Sequence, residues 1–234
     1  MKTTTGRALV AEGVGTALLL AAVVGSGIMG ERLAGGNVAV ALLANSIATG
    51  TALAALILTF GPISGAHFNP AVTIADASQG GLPWTRAAAY VVMQLVGAMA
   101  GVLTAHAMFA EPLLMISTHA RTGASQVFSE FIATFGLLAV IWGVSRRRAS
   151  VVPFAVAAYI TAAYWFTAST SFANPAVTVA RAFTNTFAGI RPADVPGFVT
   201  GQMAGAIAAT VLFRWLVPAL PADASEIIVP HEHP

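Results

Sequence analysis

Two copies of a five-residue motif, one in each half of the chain, are the residues whose types and order most clearly suggest chemistry. Asn69-Pro70-Ala71-Val72-Thr73 recurs unchanged as Asn174-Pro175-Ala176-Val177-Thr178. In each copy the Asn side-chain oxygen can cap a helix, and the Pro after it has a φ angle suited to a first turn. We therefore expect two helix N-termini, each with unpaired backbone N–H groups, partial positive charge and an amide that can donate.

The composition indicates which class of protein contains these two helix starts. Of 234 residues, 57% are hydrophobic and only 9% are charged, whereas a soluble domain has about 25% charged residues. A soluble helical protein with a large apolar core would lack the polar residues to cover its surface. The sequence therefore predicts an integral membrane protein. The polar residues 1–7 run into a long apolar span without the pattern of a cleaved signal, so we expect that span to be retained.

Several chemistries are excluded by residue types. The chain has no cysteine, so disulfides, thiolate metal sites and thiol nucleophiles are ruled out. We find no Ser-His-Asp spacing, clustered carboxylates or metal-ligand spacing, and a net charge of +2 does not suggest nucleic acid. We expect no enzyme activity, cofactor, metal or nucleic-acid partner. His231 and His233 are interpreted as part of a mobile C-terminal tail, 219–234, rather than a metal site.

The apolar segments have two lengths. Two are short, near 69–78 and 174–184, and a helix of about 10 residues rises only about 15 Å, half of a hydrocarbon core of about 30 Å. Such half-helices can enter a membrane and turn back where protein or a wet cavity covers their irregular backbone. Six others are long enough to span a bilayer: about 8–30, 38–60, 84–107, 128–145, 151–168 and 194–217.

The duplication extends beyond the motif. Glu12 in the first span corresponds to Glu130 in the fourth, and Gln94 in the third corresponds to Gln202 in the sixth. Because each copy holds three spans, the second is inverted relative to the first, and inverted repeats place the special site at the midplane. The predicted fold is an all-α membrane protein of six transmembrane helices plus two re-entrant half-helices. We expect a single channel domain, 1–218, with repeats at about 8–107 and 128–217.

The basic residues predict the orientation. With the N-terminus inside, seven Lys and Arg residues lie at the inner end and four at the outer end, which favours two cytoplasmic termini in a multi-pass inner-membrane protein. The opposite topology stays open as an alternative. The inner set is Lys2, Arg7, Arg86, Arg146, Arg147, Arg148 and Arg214; the outer set is Arg32, Arg121, Arg181 and Arg191.

The half-helices would enter from opposite faces and point their N-termini at each other. The irregular segment before each would offer free backbone carbonyls to the lumen: those of Gly65, Ala66, His67, Thr170 and Phe172. Donors at the centre, acceptors on either side and apolar walls suit small neutral solutes, while the central positive field opposes cations. A passive channel in a lipid bilayer is the prediction. A secondary transporter, which needs a coupling acid at the midplane, and an adhesive or scaffolding protein are the alternatives.

These motifs resemble the paired signature of the aquaporin/aquaglyceroporin (major intrinsic protein) family. The resemblance covers nearly the whole chain: both Asn-Pro-Ala motifs, both glutamates, both glutamines and the span count. It implies a six-span bundle with two half-helices, a homotetramer, and one pore per subunit. It also implies that Glu12 and Glu130 brace the half-helix loops by accepting backbone N–H bonds, with a role in proton relay as the alternative.

The resemblance further places the family's selectivity filter. Counting from the motifs gives Thr49, Ala162, Ser171 and Val177, where the family commonly has an aromatic residue first and nearly always Arg last. Small side chains imply a wider filter for water, glycerol, urea and metalloid acids such as arsenous acid, the last because bacterial members with this Val look similar. If Phe172 or the 108–127 loop refills the space, a water-selective pore is the alternative.

Arg181 lies four residues after Val177, one helical turn of about 5.4 Å further toward the outer mouth. One hypothesis is that it puts a positive charge in the outer vestibule and attracts polar or weakly acidic solutes. The other is that it is a structural arginine that pairs with loop carbonyls or with Asp194.

Overall fold

Helices of two lengths make up the protein, as a computed structural model describes it for residues 4–217, with the side chains of 146 and 147 excepted. The predicted tail with His231 and His233, and Lys2, lie outside the described residues. No β-strand occurs in the described range. The long helices are α1 (Thr5–Leu33), α2 (Val38–Ser64), α4 (Trp84–Phe109), α5 (Ala124–Arg148), α6 (Val152–Phe166) and α8 (Val195–Leu216), and the short ones are α3 (Pro70–Gln79) and α7 (Pro175–Arg181).

The predicted all-α fold is confirmed, with long and short helices in the same order in both halves. Within the described residues, six helical segments are long and apolar enough to cross a membrane. Several boundaries differ by a few residues: α2 runs to Ser64 rather than 60, α5 begins at Ala124 rather than 128, and α7 ends at Arg181, whereas the sequence predicted helix to 184. The chain leaves the helix there because Ala182 and Phe183 use their carbonyls to accept hydrogen bonds from Ser117 and Met115 of the loop before α5.

The two short helices begin at the duplicated motif for the local reason that the sequence suggests. Asn69 accepts from the N–H of Ala71, and Asn174 accepts from the N–H groups of Ala176 and Val177. In both helices proline is the first residue, where a missing N–H costs nothing because that N–H would be unpaired anyway. Each motif therefore fixes the start of a re-entrant helix.

Long helices approach closely where glycine removes the side chain. A Cβ at Gly97 of α4 would lie 2.2 Å from the Gly13 carbonyl oxygen of α1, and at Gly205 of α8 it would lie 2.3 Å from the Phe131 oxygen of α5. Corresponding helices of the two halves thus pack backbone to backbone, as small residues allow in membrane bundles. The buried polar residues of these helices, Glu12, Gln94, Glu130 and Gln202, lie inside the bundle.

Polar and apolar residues are distributed as a membrane requires. Glu12, Glu130, Gln94 and Gln202 have no exposed surface, while large apolar side chains on the long helices are exposed along the outside of the bundle. Hydrocarbon cannot hydrogen-bond to polar groups, so these must find partners within the protein. The partners they find are the loops in front of the two half-helices.

Candidate functional site

The N-termini of α3 and α7 meet inside the bundle and are tied together by two reciprocal hydrogen bonds. The side-chain amide of Asn69 donates to the Ala173 carbonyl oxygen at 2.7 Å, and that of Asn174 donates to the Phe68 oxygen at 2.7 Å. Because each amide nitrogen carries two hydrogens, each Asn retains one N–H beyond this link. The two half-helices therefore present a fixed pair of donors and two positive helix ends at one place.

The segment before each motif has an unusual backbone that repeats in both halves. Phe68 (φ 49°) and Ala173 (φ 47°), which directly precede the two asparagines, are left-handed, as are Ala66 (φ 51°) and Ser171 (φ 49°). Residues other than glycine rarely adopt this region, and the cost is commonly of order 1–3 kcal/mol each. Such a backbone persists only if its surroundings hold it, and the two buried glutamates do so.

Glu12 holds the first segment with both carboxylate oxygens. One oxygen accepts from the Ser64 hydroxyl at 2.7 Å and the His67 N–H at 3.0 Å; the other accepts from the Phe68 N–H and the Gln94 amide, both at 2.8 Å. Four donors on a carboxylate with no exposed surface compensate for its desolvation. Each oxygen of the Glu12 carboxylate therefore accepts two hydrogen bonds.

Glu130 repeats this arrangement in the second half. Its oxygens accept from the N–H groups of Phe172 and Ala173, both at 2.9 Å, and from the Gln202 amide. The same Gln202 amide donates to the Thr178 hydroxyl at 2.7 Å, as the Gln94 amide donates to the Thr73 hydroxyl at 2.9 Å. Each half-helix is thus linked through its Thr and a Gln to the glutamate that holds the preceding loop.

A cavity, here called the central cavity, passes the meeting point of the two motifs. Asn69 and Asn174 line it, and so do the segments around Phe68 and Ala173. The α6 residues on its wall fall on one helical stripe with a spacing of four, which explains why one face of α6 is at the lumen. Its apolar lining comes from Leu19, Val23, Leu53, Ile57, Val72, Leu137, Ile141, Val152, Val156 and Ile160.

The structure brings three of the four predicted filter residues to the central cavity. Thr49, Ser171 and Val177 line it, and all three are buried. Ala162 does not line it: this residue is exposed on the outside of α6. The α6 side chain at this level is Tyr164, whose hydroxyl lies 3.1 Å from the Thr49 hydroxyl. The expectation that Ala162 faces the lumen is therefore wrong in placement, and Tyr164 is the α6 residue that lines the cavity near Thr49. That these residues select solutes stays a prediction.

Of the five residues predicted to offer carbonyls to the lumen, three line the central cavity and two do not. Ala66, His67 and Phe172 line the central cavity. Gly65 does not, since its left-handed conformation (φ 86°) ends α2. Thr170 belongs to a second cavity further out. On the α3 side of the central cavity, the Nδ1 atom of His67 lies 3.1 Å from the Thr73 hydroxyl oxygen.

Arg181 makes the loop-carbonyl contact of the structural hypothesis, whereas the attraction of solutes that the other hypothesis assigns to it stays a prediction. It is buried, with 2% of its surface exposed, and its Nε donates to the Ala188 carbonyl oxygen of the following loop. It does not pair with Asp194, which is bound by Arg191 at 3.1 Å instead. Its guanidinium carbon lies 3.3 Å from the centre of the Phe172 ring, and the residue lines both cavities. The side chain is anchored by a loop carbonyl and still presents its head to the lumen.

Arg121 is a site residue that the sequence analysis counted only for its charge. Its guanidinium carbon lies 4.9 Å from the centre of the same Phe172 ring, and its Nε donates to Gly189. Burial lowers the pKa of Arg121 from its ordinary value, but an arginine starts so high that it stays charged at neutral pH. The loop before α5 has no period or motif, so only its basic residue could have drawn attention.

A cavity between two facing half-helices, inside six spans with apolar outer faces, defines the molecule as a helical membrane protein with an internal cavity. Residues 1–168 match the major intrinsic protein family. The chain is 56% identical to aquaglyceroporin AqpS of Rhizobium meliloti (strain 1021) over 216 residues, which is 92% of each protein. The chain therefore belongs to the major intrinsic protein family, and it is a channel for small solutes and not an enzyme.

More distant relatives agree with this assignment. Nodulin-26 of Glycine max is 39% identical over 149 residues, which cover 63% of this chain and 54% of nodulin-26. Among solved structures, the aquaglyceroporin from Plasmodium falciparum superimposes with a TM-score of 0.72 over 94% of this chain and all of that one, at 21% identity. At that identity the likeness shows the fold alone, and it supports the arrangement of six spans and two half-helices.

Proposed function

We propose that this protein is an aquaglyceroporin-like passive channel that passes water and small neutral solutes, including glycerol, urea and metalloid acids such as arsenous acid. The observation that carries the proposal is Val177: a small apolar side chain lines the central cavity where the resembled family nearly always has an arginine. A narrow, charged ring that admits only water would need a bulky donor at this position. The 56% identical relative carries the name aquaglyceroporin.

The centre of the cavity supports neutral cargo. The spare N–H of each Asn, beyond its bond to the opposite carbonyl, is available to a hydroxyl or amide oxygen that passes between the half-helices. The positive ends of both half-helices point to the same place and disfavour cations. The walls on either side are largely apolar, which suits the carbon face of a polyol or urea.

A water-selective pore is the second candidate, and one specific observation favours it. Tyr164, Phe172 and Arg181 line the same cavity as Val177 and put two rings and a guanidinium near the outer end. These three side chains occupy part of the volume that the small residues Thr49, Ser171 and Val177 leave free. The two candidates differ in whether the path beside Val177 is wide enough for a three-carbon solute.

We further propose that the channel forms one domain over 1–218, that its termini are cytoplasmic in the inner membrane, and that it assembles as a homotetramer with one pore per subunit. The orientation is supported by the smaller set of basic residues at the outer end. There Arg32 pairs with Glu111 after α4, while Arg121, Arg181 and Arg191 lie around the loops before α5 and after α7. Chemical cross-linking in membranes tests the tetramer. We expect products up to four chains, and a protein that stays a single chain after cross-linking would contradict the proposal.

Stopped-flow light scattering on reconstituted vesicles tests the proposal. We expect water, glycerol, urea and arsenite at neutral pH, where arsenous acid is uncharged, all to cross faster than in empty vesicles. Water flux alone above the empty-vesicle level would establish the water-selective alternative. A solute flux that requires a proton or sodium gradient would instead indicate a secondary transporter.

A further inference from the structure

The outer cavity, lined among others by Asn45, His119, Arg121, Thr170 and Arg181, is strongly positive for a site meant only for neutral solutes. Two guanidinium groups border it, and both contact the Phe172 ring, so they are held close to each other. No carboxylate lines this cavity in the part of the chain that the structure describes. Two like charges in one small space favour a counter-charge between them.

Arg181 has unused hydrogen-bonding capacity at this cavity. An arginine has five N–H donors, and within residues 4–217 only its Nε has a partner, the Ala188 oxygen. The four remaining N–H groups belong to a side chain with 2% of its surface exposed. Because Arg181 lines both cavities and stacks on the Phe172 ring, these N–H groups border open cavity space, where an acceptor can reach them. They point to a ligand or solute that supplies acceptors.

Arg121 is tied down in a way that leaves its charge available. Its Nε donates to the Gly189 oxygen at 2.9 Å, and its Nη1 donates to the Ser169 oxygen at 3.2 Å. All these partners are neutral, and Nη2 has no hydrogen-bond partner within the described chain. The group is therefore positioned without being neutralised.

Three of the acids near the outer end have partners elsewhere, and the fourth, Glu31, is exposed and does not line the outer cavity. Asp194 pairs with Arg191 and also accepts from the backbone N–H of Arg121, and Glu111 pairs with Arg32. Glu130 lies behind the Phe172 loop, where backbone N–H groups and Gln202 occupy both of its oxygens. None of the three forms an ion pair with the guanidinium group of Arg121 or Arg181 among the described residues.

We infer that the outer cavity is a binding site for small oxyanions, such as carboxylates and sulfonates, held by the guanidinium groups of Arg121 and Arg181. Guanidinium groups match two oxygens of one anion with parallel N–H donors. Because Arg181 also lines the central cavity, an anion bound there stands where neutral solutes enter. The site therefore couples the outside anion concentration to the flux of neutral solutes, which goes beyond a simple channel function.

The site is tested by measuring whether an anion inhibits glycerol flux and whether an uncharged molecule of similar shape does not. Reconstituted vesicles receive glycerol in sodium methanesulfonate or in sodium chloride at equal ionic strength, which removes the effect of general screening. Dimethyl sulfone, of similar shape but uncharged, is added to the chloride buffer as a control. We expect methanesulfonate to lower glycerol permeability in a saturable way and dimethyl sulfone to leave it unchanged. Equal flux in methanesulfonate and chloride, or equal inhibition by the sulfone, would overturn the inference.

Variants locate the inhibition. Arg181→Gln and Arg121→Gln should each raise the methanesulfonate concentration for half-inhibition about tenfold, the loss expected when one charge-assisted contact is removed. Arg32→Gln is the matched control, since Arg32 lies at the outer end but pairs with Glu111, and it should keep the wild-type inhibition. Inhibition that persists in Arg181→Gln and Arg121→Gln would place the anion elsewhere and contradict the assignment.

A binding measurement on the wild-type protein avoids dependence on flux or on the folding of variants. Saturation-transfer NMR on the detergent-solubilised channel reports contact between protein and the methyl protons of the probe. We expect transfer to methanesulfonate that excess acetate reverses, and none to dimethyl sulfone. Absence of transfer to methanesulfonate would refute the site even if the channel conducts glycerol normally.

Discussion

The hydroxyl oxygens of Thr49 and Tyr164 lie 3.1 Å apart and join α2 to α6 at the wall of the central cavity. Both residues are buried, and both line the cavity together with Val177. The bond holds the tyrosine ring at the wall of the cavity that Val177 also lines. Tyr164, which the sequence did not single out, is therefore part of the same cavity wall as the predicted filter residues Thr49 and Val177.

Two phenylalanine substitutions test which of two positions, 177 or 162, faces the central cavity. Val177→Phe should abolish glycerol permeability, because the ring would enter the central cavity, while Ala162→Phe should leave it near the wild-type value. Ala162 is exposed on α6 and does not line the cavity. Vesicle flux of glycerol and water measures both. A block by Ala162→Phe in a properly assembled protein would return this position to the filter.

The difference between Ala162 and Tyr164 shows what sequence reasoning can and cannot supply here. Two residues along an α-helix correspond to a rotation of about 200°, enough to move a side chain from the lumen to the outside. Counting back from Asn174 crosses the irregular segment 167–173, whose length does not fix the rotation of α6. Asn69, Asn174, Glu12 and Glu130 were identified because duplication and intramembrane charge mark them in the sequence itself.

Long-range contacts were equally out of reach. Arg121 meets Phe172 only because the loop before α5 folds back over the segment in front of Asn174, and no local pattern encodes that return. The end of α7 at Arg181 has the same cause, since it is set by hydrogen bonds to residues 115 and 117. Helix starts and spans are local properties of the sequence, whereas the outer mouth is assembled from distant loops.

Restoring an arginine tests the role of Val177. Val177→Arg should reduce glycerol and urea permeability much more than water permeability, because a guanidinium would fill the outer part of the central cavity. Val177→Thr, which keeps the volume and adds a hydroxyl, should retain glycerol flux. Stopped-flow scattering gives the three permeabilities from one preparation. A uniform loss for all solutes in Val177→Arg would indicate misfolding or a filter at another level.

Glu130 gives a stability prediction. Glu130→Gln replaces one carboxylate oxygen by an NH₂ group that faces donors from Phe172, Ala173 or Gln202. A buried donor left unpaired costs about 1–3 kcal/mol, so we expect a lower midpoint of thermal unfolding in detergent and reduced flux of every solute. Glu31→Gln changes an exposed glutamate of the same type and should have little effect. An unchanged midpoint for Glu130→Gln would remove the bracing role.

Backbone contact between α1 and α4 makes Gly97 a sharp test of the packing. In Gly97→Ala the new methyl group would lie 2.2 Å from the Gly13 oxygen, so the two helices must move apart. Overpacking of this kind typically costs about 1–3 kcal/mol, and because Gln94 on the same helix holds Glu12, solute flux should fall together with the unfolding midpoint. Gly6→Ala is the control, since a Cβ there meets nothing within 4 Å and alanine favours the helix. Equal midpoints for both variants would mean that α1 and α4 are not in backbone contact at Gly97.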